Sequence, residues 1–142
     1  MKKKIINKKI LIISWSDFYG GAARACYQTY ESLKNYKNID LFVQKKISKN
    51  KKIKTYKFQT INLIIRKYFS LIAYKLRFSK HDYSYNLINS DILKKANAHK
   101  YDILNIHWVN SETLSVFDFI KIKQKVVMTL HDMWAFCGSE HY

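Results

Sequence analysis

The sequence predicts an α/β fold in which helices flank a mainly parallel sheet. Three observations support this prediction. Apolar runs of strand length recur along the 142-residue chain, each run ends in glycine or in polar and histidine residues, and helical stretches without proline lie between the runs. Buried parallel strands are continuous apolar runs, and their carboxyl ends share the edge of the sheet at which ligands bind.

The first strand is predicted over residues 9–14 and the first helix over residues 22–33. Between them lies the pair Gly20 and Gly21. A glycine pair before a helix leaves backbone N–H groups at the positive end of the helix, which suits an anion such as a phosphate. The spacing is not that of a dinucleotide-binding fingerprint, and a purely structural turn is the alternative interpretation.

Two histidines are predicted at the same edge of the sheet. A strand over residues 103–106 is followed by His107 and Trp108, and a strand over residues 126–130 is followed by His131 and Asp132. Between these strands, a serine at position 115 and an aspartate at position 118 have the spacing of a capping box, which predicts a short helix through residue 122. This is a βαβ unit, so both histidines are expected on the side of Gly20.

The middle of the chain gives weaker signals. The lysine-rich residues 45–57 are predicted to form a solvated loop with room for one short strand. Residues 60–78, from Thr60 to Phe78, predict an amphipathic helix with one broad apolar face and a basic opposite face. Two interpretations stay open: the helix packs on the sheet, or it lies on an anionic membrane surface.

The net charge of +16 comes mostly from lysine, and only Arg24, Arg66 and Arg77 are arginines among the 26 basic residues. Nucleic-acid-binding proteins favour arginine for bidentate contacts with bases and phosphates, so a nucleic-acid partner is disfavoured. Abundant lysine, asparagine and isoleucine indicate an A+T-rich coding bias. A basic module without catalysis, bound to a membrane or to nucleic acid, is the alternative function.

The cellular location is predicted to be cytoplasmic. Arg66 and Lys67 interrupt the longest apolar stretch before it reaches the roughly 20 residues of a membrane span. The alternative location is cytoplasmic with peripheral contact with the inner face of the membrane through residues 60–78. Cys26 and Cys137 are expected to be reduced thiols.

Three segments carry a resemblance to a known family. They are Gly20-Gly-Ala-Ala-Arg-Ala25, Asn105-Ile-His-Trp-Val109 and Thr129-Leu-His-Asp-Met-Trp-Ala-Phe136. In order and approximate separation they are similar to the amino-terminal domain of a family 4 glycosyltransferase of the colanic-acid and exopolysaccharide type. The resemblance covers both ends of the chain.

The resemblance implies a GT-B enzyme, in which two Rossmann-like domains face a cleft. Residues 1–142 would then be the acceptor-side domain, truncated and lacking the donor-binding second domain, and expected to be inactive alone. The implied reaction is transfer of a sugar, with retention, from a nucleotide-sugar co-substrate to a polysaccharide or lipid-linked acceptor in surface-polysaccharide biosynthesis. The resemblance implies neither a metal nor another cofactor.

The resemblance also assigns roles to residues. Gly20 and Gly21 would approach the donor diphosphate, and His131 would be the catalytic residue beside the transferred sugar and the acceptor. The further cleft candidates, taken from the strand ends and the third segment, are His107, Trp108, Asp132 and Trp134. No metal site is predicted, because the spacing of the histidines matches no metal-ligand motif.

Overall fold

The computed structural model describes residues 7–36, 38–55, 64–65, 68–69, 71–72, 75–76, 84–87 and 89–137. Within these ranges four strands and three helices have defined bounds. In chain order they are β1 (Ile10–Ser16), α1 (Gly20–Leu33), β2 (Ile39–Lys45), α2 (Ile92–Ala98), β3 (Ile103–Ile106), α3 (Val116–Ile120) and β4 (Lys125–Met128).

The four strands form one sheet in the order β2-β1-β3-β4, and every pairing is parallel. The predicted α/β fold is therefore confirmed as a Rossmann-like arrangement with flanking helices. Because all strands run the same way, their carboxyl ends lie along one edge. Chain segments leave that edge toward α1 and toward the loops that contain His107 and His131.

The core lies on both faces of the sheet, because alternate residues of a strand point to opposite faces. On one face Leu11 and Ile13 of β1 pack with Leu104 and Ile106 of β3 and with the buried side of α2. On the other face Ile12 packs with residues of β2 and α1 that include Leu41, Val43, Cys26 and Tyr30. Mainly apolar strands suit a sheet that is covered on both faces, as the sequence pattern predicted.

The prediction of a solvated loop over residues 45–57 was only partly right. β2 extends to Lys45, and Lys54 forms a parallel bridge to Phe42. Ile53, an apolar residue among lysines, is only 2% exposed and packs in the core. This segment therefore covers the outer edge of β2.

β4 is apolar in sequence but largely exposed, as expected for a strand that later elements do not cover. The strand is shorter than the apolar run that predicted it, and Val126 and Val127, which point to opposite faces, are 43% and 54% exposed. Within the described residues, β4 pairs only with β3 and ends the strand order. An apolar strand with an open edge is prone to associate with other chains.

We expect the isolated chain to self-associate more as salt rises, because its charge of +16 opposes association and salt screens that charge within about 10 Å at 0.1 M. Val127→Lys places a charge on β4 and should suppress this association. Sedimentation velocity at low and moderate salt measures the effect. Ile47→Lys, at a 45% exposed position after β2, is the matched control and should not suppress it. A monomer unchanged by salt would contradict the expectation.

Residues 60–78 are described only in part. At the described positions from 64 to 72 the chain is helical, with Leu76 N donating to Ile72 O at 3.0 Å. The apolar residues there are exposed: Ile64, Ile65, Tyr68, Phe69, Leu71, Ile72 and Leu76. The remaining residues of the predicted amphipathic helix, including Ile61, Arg66 and Arg77, lie outside the described ranges. In the part of the chain that is described, no helix is long and apolar enough to cross a membrane.

Candidate functional site

The glycine pair lies in the first turn of α1, not before the helix as the sequence analysis predicted. α1 begins at Gly20, which has a φ of +86° that favours glycine over residues with a side chain. Apart from the adjoining residues and the backbone of the helix itself, no heavy atom lies within 4 Å of where a Cβ would stand at Gly20 or Gly21. Tyr19, the N-cap residue, makes no side-chain capping bond. The helix therefore begins in open space, without a side chain to cap it.

Beside this turn lies a cavity of about 300 Å³. Its walls include the aromatic rings of Trp15, Tyr19 and Trp108 together with the glycine pair. Trp15 packs edge-on against Trp108 and Tyr19, with ring centroids 5.6 and 5.7 Å apart. Lys45 Nζ lies 5.5 Å from the Trp15 ring and 5.1 Å from the Tyr19 ring. An aromatic wall, a cation and a helix start thus meet at the end of β1.

The two strand-end histidines are in direct contact. His107 follows the last residue of β3, and His131 lies three residues beyond the end of β4. Because Ile106 pairs with Met128 in neighbouring parallel strands, the two loops leave the sheet side by side. His107 Nδ1 and His131 Nε2 are 3.1 Å apart, and the rings stack with an interplanar angle of 25°. The prediction that both lie at the edge of Gly20 is confirmed.

Burial keeps both histidines neutral at pH 7. The His107 side chain is 2% exposed. Burial, and secondarily the charge of His131, lowers the pKa of His107 to about 4. Burial also lowers the pKa of His131, and the nearby carboxylate of Asp132 opposes that shift. A neutral imidazole offers one donor and one acceptor, so the partly exposed His131 can form a hydrogen bond with a bound molecule near pH 7.

Asp132 fixes the loop after β4 to the loop after β3. Its Oδ2 accepts hydrogen bonds from Trp108 Nε1 at 2.7 Å and from Asn110 Nδ2 at 3.4 Å, and its Oδ1 accepts from the backbone N–H of Trp134 at 3.1 Å. The Trp134 indole donates to the backbone oxygen of Ser84 at 2.8 Å and lies beside Phe119. Of the predicted cleft candidates, Asp132 and Trp134 therefore support the loop that carries His131.

A buried polar cluster beside the site was not predicted from the sequence. Asn86, fully buried with a φ of 47°, accepts from the Glu112 backbone N–H at 2.9 Å and donates from Nδ2 to Asn110 Oδ1 at 3.0 Å. Its own backbone N–H donates to Glu112 Oε1 at 3.1 Å. The signal for this cluster in the sequence is the polar run Asn110-Ser-Glu-Thr113, which follows Val109 in the loop after β3.

Asn86→Ala is expected to lower the free energy of unfolding by about 2–3 kcal/mol, because it leaves buried partners unsatisfied. Alanine is also strained at a positive φ, which asparagine tolerates better. Urea unfolding of the chain at pH 7 measures the change. Asn35→Ala, at an exposed position, is the matched control and should change stability by less than about 0.5 kcal/mol. Equal stabilities of the two variants would contradict the role given to Asn86.

In the described part of the chain, no group of three or more histidine, cysteine, aspartate or glutamate side chains is placed to hold a metal ion. His141 lies outside the described residues. Cys26 and Cys137 are free thiols, and burial raises the pKa of the Cys26 thiol to about 12. Cys26 is therefore a protonated core residue at pH 7.

The predicted site residues form two adjoining groups at one edge of the sheet. Gly20 and Gly21 line the larger cavity, while His107, His131, Asp132 and Trp134 line a narrow crevice. Trp108, which directly follows His107, lines both the cavity and the crevice and separates them. Comparison of the chain with protein-family models, with curated proteins and with solved structures finds no match in any of the three.

Proposed function

We propose that this domain is the acceptor-side part of a retaining glycosyltransferase that moves a sugar from a nucleotide-sugar donor to a polysaccharide or lipid-linked acceptor in surface-polysaccharide biosynthesis. The observation that carries the proposal is the arrangement of Gly20, Trp108 and His131. A helix start open to an anion and a neutral histidine pair lie on either side of one indole, at the ligand-binding edge of a parallel sheet.

Each part of this arrangement suits one part of the substrates. The uncapped start of α1 at Gly20 and Gly21 suits the donor diphosphate, and Lys45 adds a positive charge nearby. The aromatic wall offers apolar surface to the face of a sugar ring. His131, neutral at pH 7, can exchange a hydrogen bond with a sugar hydroxyl.

In this proposal, the donor nucleotide is held mainly by a second domain, as the sequence resemblance implies. The described residues supply one wall of a cleft, with a site for a diphosphate and a site for a hydroxyl. Retention and transfer without a metal come from the resemblance and are part of the proposal. The proposal also includes a location on the cytoplasmic side of the membrane, where nucleotide sugars serve as donors.

The test is a sugar-transfer assay with a panel of labelled nucleotide sugars and with lipid-linked and polysaccharide acceptors. The chain combined with a donor-binding domain, in the same polypeptide or added separately, should transfer label from at least one donor. The chain alone should transfer none. Turnover by the chain alone, or no transfer by the combined protein with every donor and acceptor, would contradict the proposal.

A second candidate, peripheral membrane binding, is favoured by the exposed apolar residues between positions 64 and 76 in a chain of charge +16. It is compatible with a lipid-linked acceptor. Co-sedimentation with vesicles tests it: binding should require anionic lipid and should be lost in Leu71→Glu, whereas Ile47→Glu, outside this segment, should bind as the unsubstituted chain does. Equal binding to neutral vesicles, or no effect of Leu71→Glu, would exclude it.

A further inference from the structure

The bond between the two histidines uses one nitrogen of each ring. Nε2 of His131 faces Nδ1 of His107 at 3.1 Å and is therefore occupied by the protein itself. The other nitrogen of His131, Nδ1, has no hydrogen-bond partner in the described part of the chain, and the ring is partly exposed in the crevice. A bound molecule that reaches His131 therefore meets Nδ1.

The same bond couples the tautomers of the two rings. A neutral imidazole carries one proton, on Nδ1 or on Nε2. If His107 donates from Nδ1, Nε2 of His131 is bare, so the proton of His131 is on Nδ1. If His131 instead donates from Nε2, Nδ1 of His107 is bare, so the proton of His107 is on Nε2. In both cases the two rings carry their protons on the nitrogen of the same name.

His107 is held in a way that stability alone does not explain. Its ring is 2% exposed, and its Nε2 is buried without a hydrogen-bond partner among the described residues. Such an unsatisfied group costs about 1–3 kcal/mol, so a contribution to stability does not by itself explain the buried ring of His107. The only bond of the His107 side chain in the described part is the one to His131.

We propose that His107 is a positioning residue: it holds His131 with Nδ1 toward the cleft and fixes the tautomer of His131 to match its own. An oxygen of the substrate then meets one defined nitrogen in one protonation form. The coupling of the rings follows from the geometry and needs no enzymatic activity. The effect on catalysis rests on the proposed function.

Long-range proton–nitrogen NMR spectra of the chain at pH 7 test the coupling, because they show which nitrogen of each histidine carries the proton. The expected result is the same tautomer for His107 and His131. In His107→Leu, which removes the bond, His131 should become a mixture of tautomers. His107→Asn, which keeps a polar atom near the position of Nδ1, should preserve a single one. Opposite tautomers in the unsubstituted chain, or a His131 pattern unaffected by His107→Leu, would overturn the proposal.

Sugar transfer by the chain combined with a donor-binding domain tests the catalytic effect. His107→Leu should lower kcat about tenfold while KM changes less than about twofold, and His107→Asn should recover most of the loss. Equal losses in both variants, with the fold retained by circular dichroism, would overturn the catalytic half of the proposal. Absence of transfer by the unsubstituted protein would contradict the proposed function, and the NMR result would still decide the coupling.

Discussion

In the chain combined with a donor-binding domain, His131→Ala is expected to lower kcat/KM by about a hundredfold or more. Loss of a catalytic acid or base lowers rates by a factor in this range. The reason is that His131 presents the free nitrogen of the histidine pair to the crevice. The substitution removes a partly exposed side chain beyond the end of β4, so the core should remain intact. Initial rates of sugar transfer measure the effect.

The matched control is His99→Ala. His99 is an exposed histidine that follows α2, outside both cavities. It should leave kcat/KM within about twofold of the unsubstituted value. A rate for His131→Ala equal to that of the control would remove His131 from the reaction. Circular dichroism of both variants separates loss of activity from loss of fold.

Acid is expected to destabilise the chain between pH 7 and pH 5, and His107 should cause most of the effect. The pKa of His107 is about 4 in the folded chain and about 6.5 when unfolded. Between these values the unfolded state binds more protons, so stability is lost as pH falls. The loss from His107 alone amounts to about 2 kcal/mol at pH 5. The lowered pKa of His131 acts in the same direction.

Urea unfolding at pH 7 and pH 5 measures this difference. In His107→Leu, which cannot be protonated, the difference between the two pH values should shrink to the contribution of the other groups. The lowered pKa values of Asp40 and Asp102 affect stability only at lower pH, because both carboxylates remain ionised in this window. A pH dependence that His107→Leu leaves unchanged would show that His107 is not buried in its neutral form.

Local sequence patterns predicted those features whose geometry depends only on neighbouring residues. The mainly apolar run over residues 103–106 located β3, and the capping box of Ser115 and Asp118 is present in full at the start of α3. The parallel direction of the strands then placed both histidines at one edge, although sequence alone did not show that they touch. Their contact depends on the register between Ile106 and Met128, which only the folded sheet defines.

Features that depend on distant partners were not predictable. Asn86 bonds to residues more than twenty positions away, so no local pattern marks it as buried. The burial of Ile53 depends on where the chain crosses β2. Asp132 resembled a cleft residue in sequence, yet its carboxylate is used to join two loops.

The most direct test of the central claim is a crystal structure of this chain combined with a donor-binding domain and a non-reactive nucleotide-sugar analogue, with an acceptor. The account predicts that an oxygen of the transferred sugar or acceptor lies about 3 Å from His131 Nδ1, at hydrogen-bond distance. It also predicts the diphosphate at the start of α1, beside Gly20 and Gly21. A sugar bound away from this edge of the sheet, beyond contact with His131, would contradict the account.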